Sequence, residues 1–273
     1  MNKILIAADS CCDMTDELRE ILGVVTVPMT INAGGKELTD DGTIDTEELL
    51  EIIMSGKKVL SSFPSPDVYA KIYRNNDIKF CVTISKELSG AHSSAVLGTE
   101  LAKRNDISVI DSKSASAAEI LTVMHLRKLI NKGSGREEIL SSLKEKIDGM
   151  NTFISLERLD MLKANGRLEK IASAAVPALG IRPMLSAEEG KIKFNGFARG
   201  KKHSLNRMLH LVEKSGKETK GKAAVITHSY ADDMALELKH ELVKRYHFEE
   251  ILICRTNGIS TMYAQKGGIV LAF

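Results

Sequence analysis

Hydroxyl side chains are concentrated in two short segments, and these segments are the part of the chain best suited to hold a polar ligand. The first, Ser61 to Pro66, reads S-S-F-P-S-P and places three serines around two prolines. Proline fixes the backbone angle and removes a donor, so such a loop is stiff and its hydroxyls point in set directions. The pattern predicts a preorganised cradle for an anion or a carboxylate. The alternative is a rigid turn before a helix that Ser65 or Asp67 caps.

The second segment, Ile84 to Ala95, reads I-S-K-E-L-S-G-A-H-S-S-A and places Ser89 and Gly90 directly before a predicted helix. Free backbone N–H groups and the helix dipole favour a negative group at such a position. Ser89 and Gly90 are therefore predicted to contribute to the same anion site. The alternative is simple capping, with Ser89 as the N-cap. We expect both serine segments to follow strands of one sheet.

A serine nucleophile is the enzymatic alternative. The sequence has no G-x-S-x-G elbow and places no His/Asp pair beside Ser89, and His92 falls within the predicted helix. The glycine-rich signatures G-x-x-x-x-G-K-[ST] and G-x-G-x-x-G for nucleotides are absent as well. A hydrolase or acyltransferase that uses Ser61 or Ser89 on a small acyl substrate stays the second hypothesis, and no catalytic residue is assigned.

Acidic and sulfur side chains near the start of the chain raise the question of a metal. Asp9 and Asp13 lie in D-S-C-C-D and could form a metal pair, but an acid at the end of a first strand more often caps a helix or ties down a loop. The four cysteines form no C-x-x-C pair and have no histidine at metal-ligand spacing. We predict a structural role for both aspartates and no metal site.

Apolar periodicity predicts the elements that must position these residues. Strands alternate with helices as far as residue 150, which indicates a mostly parallel sheet covered on both faces. In such sheets ligands lie beyond the carboxyl ends of the strands. After Met150 the hairpin signal E-E-G is mixed with helices and further strands. The prediction is an α/β fold: a three-layer α/β/α domain over residues 1–150 and a smaller α+β domain over 151–273.

Composition narrows the classes of partner. Lys and Arg total 38 against 36 for Asp and Glu, aromatic residues make up 4%, and there is no Trp. Neither a basic surface nor stacking side chains for nucleic acid are indicated. The first apolar run is shorter than the roughly 7 to 15 residues of a signal peptide, and no segment approaches the about 18 apolar residues of a membrane span. We expect a cytoplasmic protein without stable membrane insertion or nucleic acid.

Nine segments, in this order and over essentially the whole chain, resemble the DegV family of bacterial fatty-acid-binding proteins. They are A-D-S-C-C-D at Ala8 to Asp13, V-P-M-T-I at Val27 to Ile31, D-G-T-I-D at Asp41 to Asp45, S-S-F-P-S-P, I-S-K-E-L-S-G, D-S-K-S-A-S at Asp111 to Ser116, L-K-A-N-G-R-L at Leu162 to Leu168, G-I-R-P-M-L at Gly180 to Leu185 and F-A-R-G-K-K at Phe197 to Lys202.

The resemblance implies that one long-chain fatty acid lies in a tunnel between or beneath the two domains. It also implies that Ser61 and Ser62 match the hydroxyl pair of the first loop, and that Ser89 matches the carboxylate-binding serine of the second. Members similar to this chain are the binding subunit of bacterial fatty acid kinase. A separate subunit, similar to dihydroxyacetone kinases, phosphorylates the bound acid to an acyl phosphate for phospholipid synthesis. No cofactor and no catalysis by this chain alone are implied.

The C-terminal segment departs from the family pattern. Ala264 stands where the family usually has a histidine of the carboxylate network, and Tyr263 or Gln265 is the expected replacement donor.

Basic residues are candidates for a contact with a partner or between the domains. Gly166 is predicted to end a helix and leave Arg167 available, and Arg199, Lys201 and Lys202 follow later in the chain.

Overall fold

The computed structural model describes residues 4–168 and 180–273. Its strands are β1 (Leu5–Asp9), β2 (Val24–Val27), β3 (Thr30–Ala33), β4 (Lys36–Thr39), β5 (Val59–Ser62), β6 (Ile78–Thr83), β7 (Ser108–Asp111), β8 (Thr152–Ser155), β9 (Ile181–Glu188), β10 (Lys191–Arg199), β11 (Ala223–His228), β12 (Glu250–Arg255) and β13 (Ile269–Ala272). Its helices are α1 (Asp16–Leu22), α2 (Thr46–Met54), α3 (Pro66–Asn75), α4 (Ala91–Ala102), α5 (Ala117–Lys132), α6 (Arg136–Asp148), α7 (Asp160–Ala164), α8 (Gly200–Lys214), α9 (Asp232–Arg245) and α10 (Gly258–Ala264).

The first sheet is parallel and is covered by helices on both faces. Its strand order is β2-β1-β6-β7, and all three pairings are parallel. Because successive residues of a strand point to opposite faces, Ile6 and Ala8 pack in the cluster that contains α5. Ala7, between them, packs with Tyr69 and Tyr73 of α3. This confirms the α/β fold with a parallel sheet in the first half of the chain.

Helices α3 and α4 pack in direct contact because residue 98 has no side chain. A Cβ atom at Gly98 would lie 2.5 Å from Tyr69 Cβ and 3.2 Å from the carbonyl oxygen of Pro66. The Ser94 hydroxyl also donates to the carbonyl oxygen of Pro64 over 2.5 Å. These contacts fix the S-S-F-P-S-P segment against α4, the helix that follows Ser89.

The second sheet is mixed and has the order β10-β9-β8-β13-β11-β12, in which only β11 and β12 are paired in parallel. The E-E-G signal forms the predicted hairpin between β9 and β10, and both Glu189 and Gly190 have positive φ angles. Side chains of α8 and α9 pack in one cluster with this sheet. The strands and helices after residue 150 are therefore of the mixed type that the sequence predicts.

A third sheet, antiparallel with the order β4-β3-β5, corrects the expectation that both serine segments follow strands of one sheet. Ser61 and Ser62 pair with Ile31 and Thr30 of β3, so they are the last residues of a strand rather than part of a turn. Ser89, by contrast, follows β6 of the parallel sheet. Its strands have four residues each, and β4 and β5 show no strict alternation of polar and apolar residues, which is why this sheet was not predicted.

Helix α5 contributes to the cores of both large sheets. Ile120 and Val123 belong to a cluster that holds Ile6 of the first sheet together with Val225 and Val270 of the second. The division of the chain at residue 150 stays a prediction. Within residues 4–168 and 180–273, no helix is long and apolar enough to cross a membrane.

Candidate ligand pocket

An apolar pocket lies where β5, the loop after β6, α7 and α10 approach strands β8 and β9. It contains about 860 Å³ of space, its open mouth included. The apolar part of its wall includes Ile154, Leu156, Leu162, Leu185, Ile192 and Val270. Leu156, Leu162 and Leu185 are at most 6% exposed and belong to one packed cluster. A wall of this kind favours an apolar ligand, because burial removes the ligand's hydrocarbon surface from water.

Hydroxyl groups from two distant parts of the chain meet at one side of this pocket. Ser61 Oγ and Tyr263 Oη are 2.7 Å apart and share a hydrogen bond. Burial raises the pKa of the Tyr263 phenol, while the hydrogen bond to Ser61 and the positive charge of Arg167 act in the opposite direction. The phenol is therefore a neutral hydroxyl donor at neutral pH.

Residues at the end of α7 hold this side of the pocket in place. The Asn165 side chain accepts the N–H of Ser61 over 3.2 Å and donates to the carbonyl oxygen of Val59 over 3.3 Å. The Arg167 Nε group donates to the carbonyl oxygen of Leu88 over 3.0 Å. Arg167 lines the pocket and links it to the loop that carries Ser89. Its contact with a partner or between domains stays a prediction.

Ser89 lines the pocket at the start of α4, but it is not the N-cap, which is Gly90. The Ala91 N–H donates to Ser89 Oγ over 3.2 Å. A Cβ atom at Gly90 would lie 2.6 Å from the Phe63 ring, so glycine is what allows that ring to pack at the mouth of the pocket. The two serine segments are thus in contact through Phe63 and Gly90.

The remaining predicted site residues differ in their placement. Ser62 lines the pocket and is exposed. Ala264 lines it too and packs among leucines, so it contributes wall and no donor. Gln265 does not line the pocket, and its Nε2 is buried without a hydrogen-bond partner. Of Tyr263 and Gln265, Tyr263 is the residue that lines the pocket.

The basic residues that follow β9 lie away from the pocket. Arg199 is the last residue of β10, and Lys201 and Lys202 are in the first turn of α8. All three side chains are exposed and none lines the pocket. The structure brings only Arg167 of the proposed contact residues to the pocket.

Neither serine that could act as a nucleophile has a base beside it in the part of the chain that the structure describes. The side-chain partner of Ser61 is the Tyr263 hydroxyl, and that of Ser89 is a backbone N–H. The His92 ring contacts Thr83 Oγ1 over 3.2 Å instead. The arrangement can hold an anion by hydrogen bonds, whereas nucleophilic attack needs an adjacent base.

Buried carboxyl groups tie the pocket loops to the rest of the chain. Asp9 accepts the N–H groups of Cys11 and Ile84, and burial raises its pKa to about 7. Asp40 accepts the N–H groups of Gly258 and Ile259 at the start of α10. Asp9 thus has the loop-holding role predicted for it. The role of Asp40 was missed, because D-D-G reads as an ordinary turn and burial is invisible in sequence.

One group of potential metal donors occurs among the described residues. Asp9, Cys11 and Glu119 are buried, with one donor atom of each within 4.8 Å of the others. Both oxygens of Asp9 already accept backbone N–H groups, and burial raises the pKa of the Cys11 thiol and of Glu119. A metal ligand must be deprotonated, so these raised pKa values disfavour a cation here, and the absence of a metal site stays a prediction.

The fold and the pocket define a mixed α/β protein whose apolar pocket ends in hydroxyl groups. The sequence pattern described as "Uncharacterised protein, DegV family" matches residues 3–273. A DegV domain-containing protein of Streptococcus pyogenes is 30% identical over 276 aligned residues, which cover 98% of each chain. The chain belongs to the DegV family, as the nine sequence segments indicate.

Solved structures with this fold contain fatty acids. A DegV family protein from Ruminococcus gnavus, described with vaccenic acid, has a TM-score of 0.92 and 32% identity, covering 99% of both chains. A Eubacterium eligens DegV protein loaded with heptadecanoic acid has a TM-score of 0.90 and 28% identity, again with 99% of both chains covered. The Streptococcus pneumoniae Fatty Acid Kinase (Fak) B3 protein loaded with linoleic acid also has a TM-score of 0.90 and 28% identity, with 99% of both chains covered.

Proposed function

We propose that this chain binds one long-chain fatty acid, with the acyl chain in the apolar pocket and the carboxylate at its hydroxyl-lined side. Ser61, Ser62, Ser89 and Tyr263 supply hydroxyl groups, and the backbone at Gly90 contributes the start of α4. The observation that carries the proposal is the convergence of these hydroxyls, with Arg167, on a pocket whose wall is mostly apolar. The fatty acids bound by similar DegV proteins support it.

The energetics of such a ligand fit a pocket of this kind. Burying about 15 methylenes at roughly 0.8 kcal/mol each contributes on the order of 12 kcal/mol before ordering costs. A buried carboxylate costs several kcal/mol unless it is hydrogen-bonded or paired. Hydroxyl donors beside Arg167 would offset that cost, which supports a carboxylate position at Ser61 and Tyr263 with the hydrocarbon against Leu156 and Leu185.

We further propose that the chain is a non-catalytic carrier that presents the bound acid to a separate kinase subunit in the cytoplasm. The similarity to a protein named Fatty Acid Kinase (Fak) B3 supports this role. The lack of a base beside Ser61 or Ser89 in the described part of the chain supports carriage rather than catalysis. Arg167, Arg199 and Lys201 are the basic residues proposed to contact the partner.

Native mass spectrometry of the purified protein, followed by unfolding and identification of released molecules, tests the carrier function. We expect one fatty acid per chain. A chain that carries no acid, and that takes up none when fatty acid is added after delipidation, contradicts the proposal.

Substituting Tyr263→Phe should weaken fatty-acid binding about tenfold or more. The variant keeps the ring but removes a hydroxyl donor, and a hydrogen bond to a charged group contributes about 1.5–3 kcal/mol. Isothermal titration with palmitate measures the change. Tyr246→Phe is the matched control, because its hydroxyl donates to the Leu209 carbonyl oxygen away from the pocket. Equal affinities for both variants would exclude Tyr263 from the carboxylate site.

A further inference from the structure

A third buried carboxyl group, Asp13, is connected to the pocket through hydroxyl side chains. Asp13 is 0% exposed, and it follows β1 in the segment D-S-C-C-D. One of its oxygens accepts the N–H of Asn257 over 2.7 Å, and the other accepts the hydroxyl of Ser116. The hydroxyl of Ser260 also acts on this carboxyl group and lowers its pKa. Asp13 therefore accepts hydrogen bonds from Asn257 and Ser116, and a second serine hydroxyl favours its charged form.

Both of these serines line the ligand pocket. Ser116 precedes α5 and has a φ angle of +60°, which is unusual for a residue with a side chain. Ser260 lies on α10, one helical turn before Tyr263. A serine hydroxyl has a single hydrogen, so a serine that donates to Asp13 cannot donate to a ligand at the same time. The Thr227 hydroxyl, 2.6 Å from Ser116 Oγ, stays hydrogen-bonded to Ser116 in either case.

The surroundings of Asp13 contain acids and thiols. Titratable groups from several elements interact electrostatically with Asp13. They are Asp40, Cys11, Cys12, Glu119 on α5 and Cys254 on β12. No lysine, arginine or histidine within residues 4–168 and 180–273 forms an ion pair with it. Burial raises the pKa of Asp13 to about 8, so its charge changes just above neutral pH.

We propose that Asp13 makes the affinity of the pocket for a fatty-acid anion depend on pH, by controlling where the Ser116 and Ser260 hydroxyls donate. This inference rests on the proposed function. Ionised Asp13 orients both serine protons away from the ligand and adds a negative charge behind the pocket wall. Protonated Asp13 is neutral and releases the serine hydroxyls to the ligand.

The direction of the effect follows from linkage. A bound fatty-acid anion favours the protonated form of Asp13. Asp13 therefore keeps its proton to a higher pH in the complex than in the empty protein. Affinity is then constant well below the pKa of Asp13 in the empty protein. It falls as pH rises above that value, by at most tenfold per pH unit. The ligand carboxylate itself is ionised throughout this range, because an ordinary carboxyl pKa is about 4.

The test is the dissociation constant of palmitate, below its aggregation concentration, between about pH 7 and about pH 9.5. For the native chain we expect a rise of about tenfold over this range. Asp13→Asn is neutral at every pH and offers an amide donor to the serines, so its dissociation constant should stay flat. Asp41→Asn, an exposed neighbour of Asp40, should retain the native slope. A native slope of zero, or an Asp13→Asn slope equal to the native one, overturns the proposal.

Proton uptake by the native chain provides a test that needs no variant. Titrations of palmitate at about pH 8.5 in two buffers of different ionisation enthalpy give the number of protons taken up on binding. A substantial fraction of one proton supports the proposal, and zero uptake overturns it even if Asp13→Asn fails to fold. If palmitate binds with the same affinity at every pH, only the proposed effect of Asp13 on affinity is contradicted. If palmitate binds at no pH, the proposed carrier function is contradicted as well.

Discussion

Replacing Ile192 by tryptophan is expected to raise the dissociation constant for palmitate about a hundredfold and to leave decanoate binding nearly unchanged. Ile192 lies on β10 at the pocket wall and is half-buried, so the larger ring can enter the pocket without overpacking the core. If the indole displaces about four methylenes, the loss is roughly 3 kcal/mol at about 0.8 kcal/mol each. Isothermal titration with both acids measures the change in chain-length preference.

The neighbouring position supplies a matched control for this variant. Lys193 follows Ile192 on the same strand, and successive side chains of a strand point to opposite faces. The Lys193 side chain is exposed and forms an ion pair with Glu188. Lys193→Trp should bind both acids as the native chain does. If Ile192→Trp weakens palmitate and decanoate equally, Ile192 does not lie along the far end of the acyl chain and the proposed direction of the ligand is wrong.

The substitution Arg182→Met is expected to lower the free energy of unfolding by about 3–4 kcal/mol. Arg182 is 3% exposed and its guanidinium donates to Ser155 Oγ over 3.1 Å and to the carbonyl oxygen of Gly267. It also forms a 2.5 Å ion pair with Glu157. Methionine covers similar apolar area but leaves these acceptors without a donor, and removing one partner of such a buried set costs about 3–5 kcal/mol.

Urea denaturation of the native and variant chains measures this loss, with an unchanged dependence on denaturant as evidence that the folded state is intact. Arg158→Met is the control. Arg158 is 62% exposed and pairs with Asp160 at the surface, so its loss should change the free energy by less than about 1 kcal/mol. If both variants lose equally little, the buried contacts of Arg182 do not stabilise the fold.

The sequence predicts the regular elements well where apolar periodicity is strong. Apolar spacing in the sequence predicts a helix over Asp232 to Arg245 and a strand over A-A-V-I-T-H, and the structure gives both elements these bounds. Both are long or continuously apolar, and their pattern is set by burial on one large sheet. The antiparallel sheet of β3, β4 and β5 was not predicted, because its strands have four residues each and β5 joins β3 from a distant part of the chain.

The candidate site was predicted in part. Ser61, Ser89 and Tyr263 were named from the sequence and do line one pocket. Asn165 was quoted only as part of a helix end, although its side chain holds the backbone of Ser61. The link from Asp13 to Ser116 joins residues that are 103 positions apart. Propensity and spacing describe neighbours along the chain, so they do not reveal a hydrogen bond that only folding creates.

Helix α5 connects the apolar cores of the two large sheets. One face of the helix supports the parallel sheet, and the same apolar cluster reaches β11 and β13 of the mixed sheet. Ile120 and Val123 pack with residues of both sheets. Loosening α5 would therefore disturb both sheets at once.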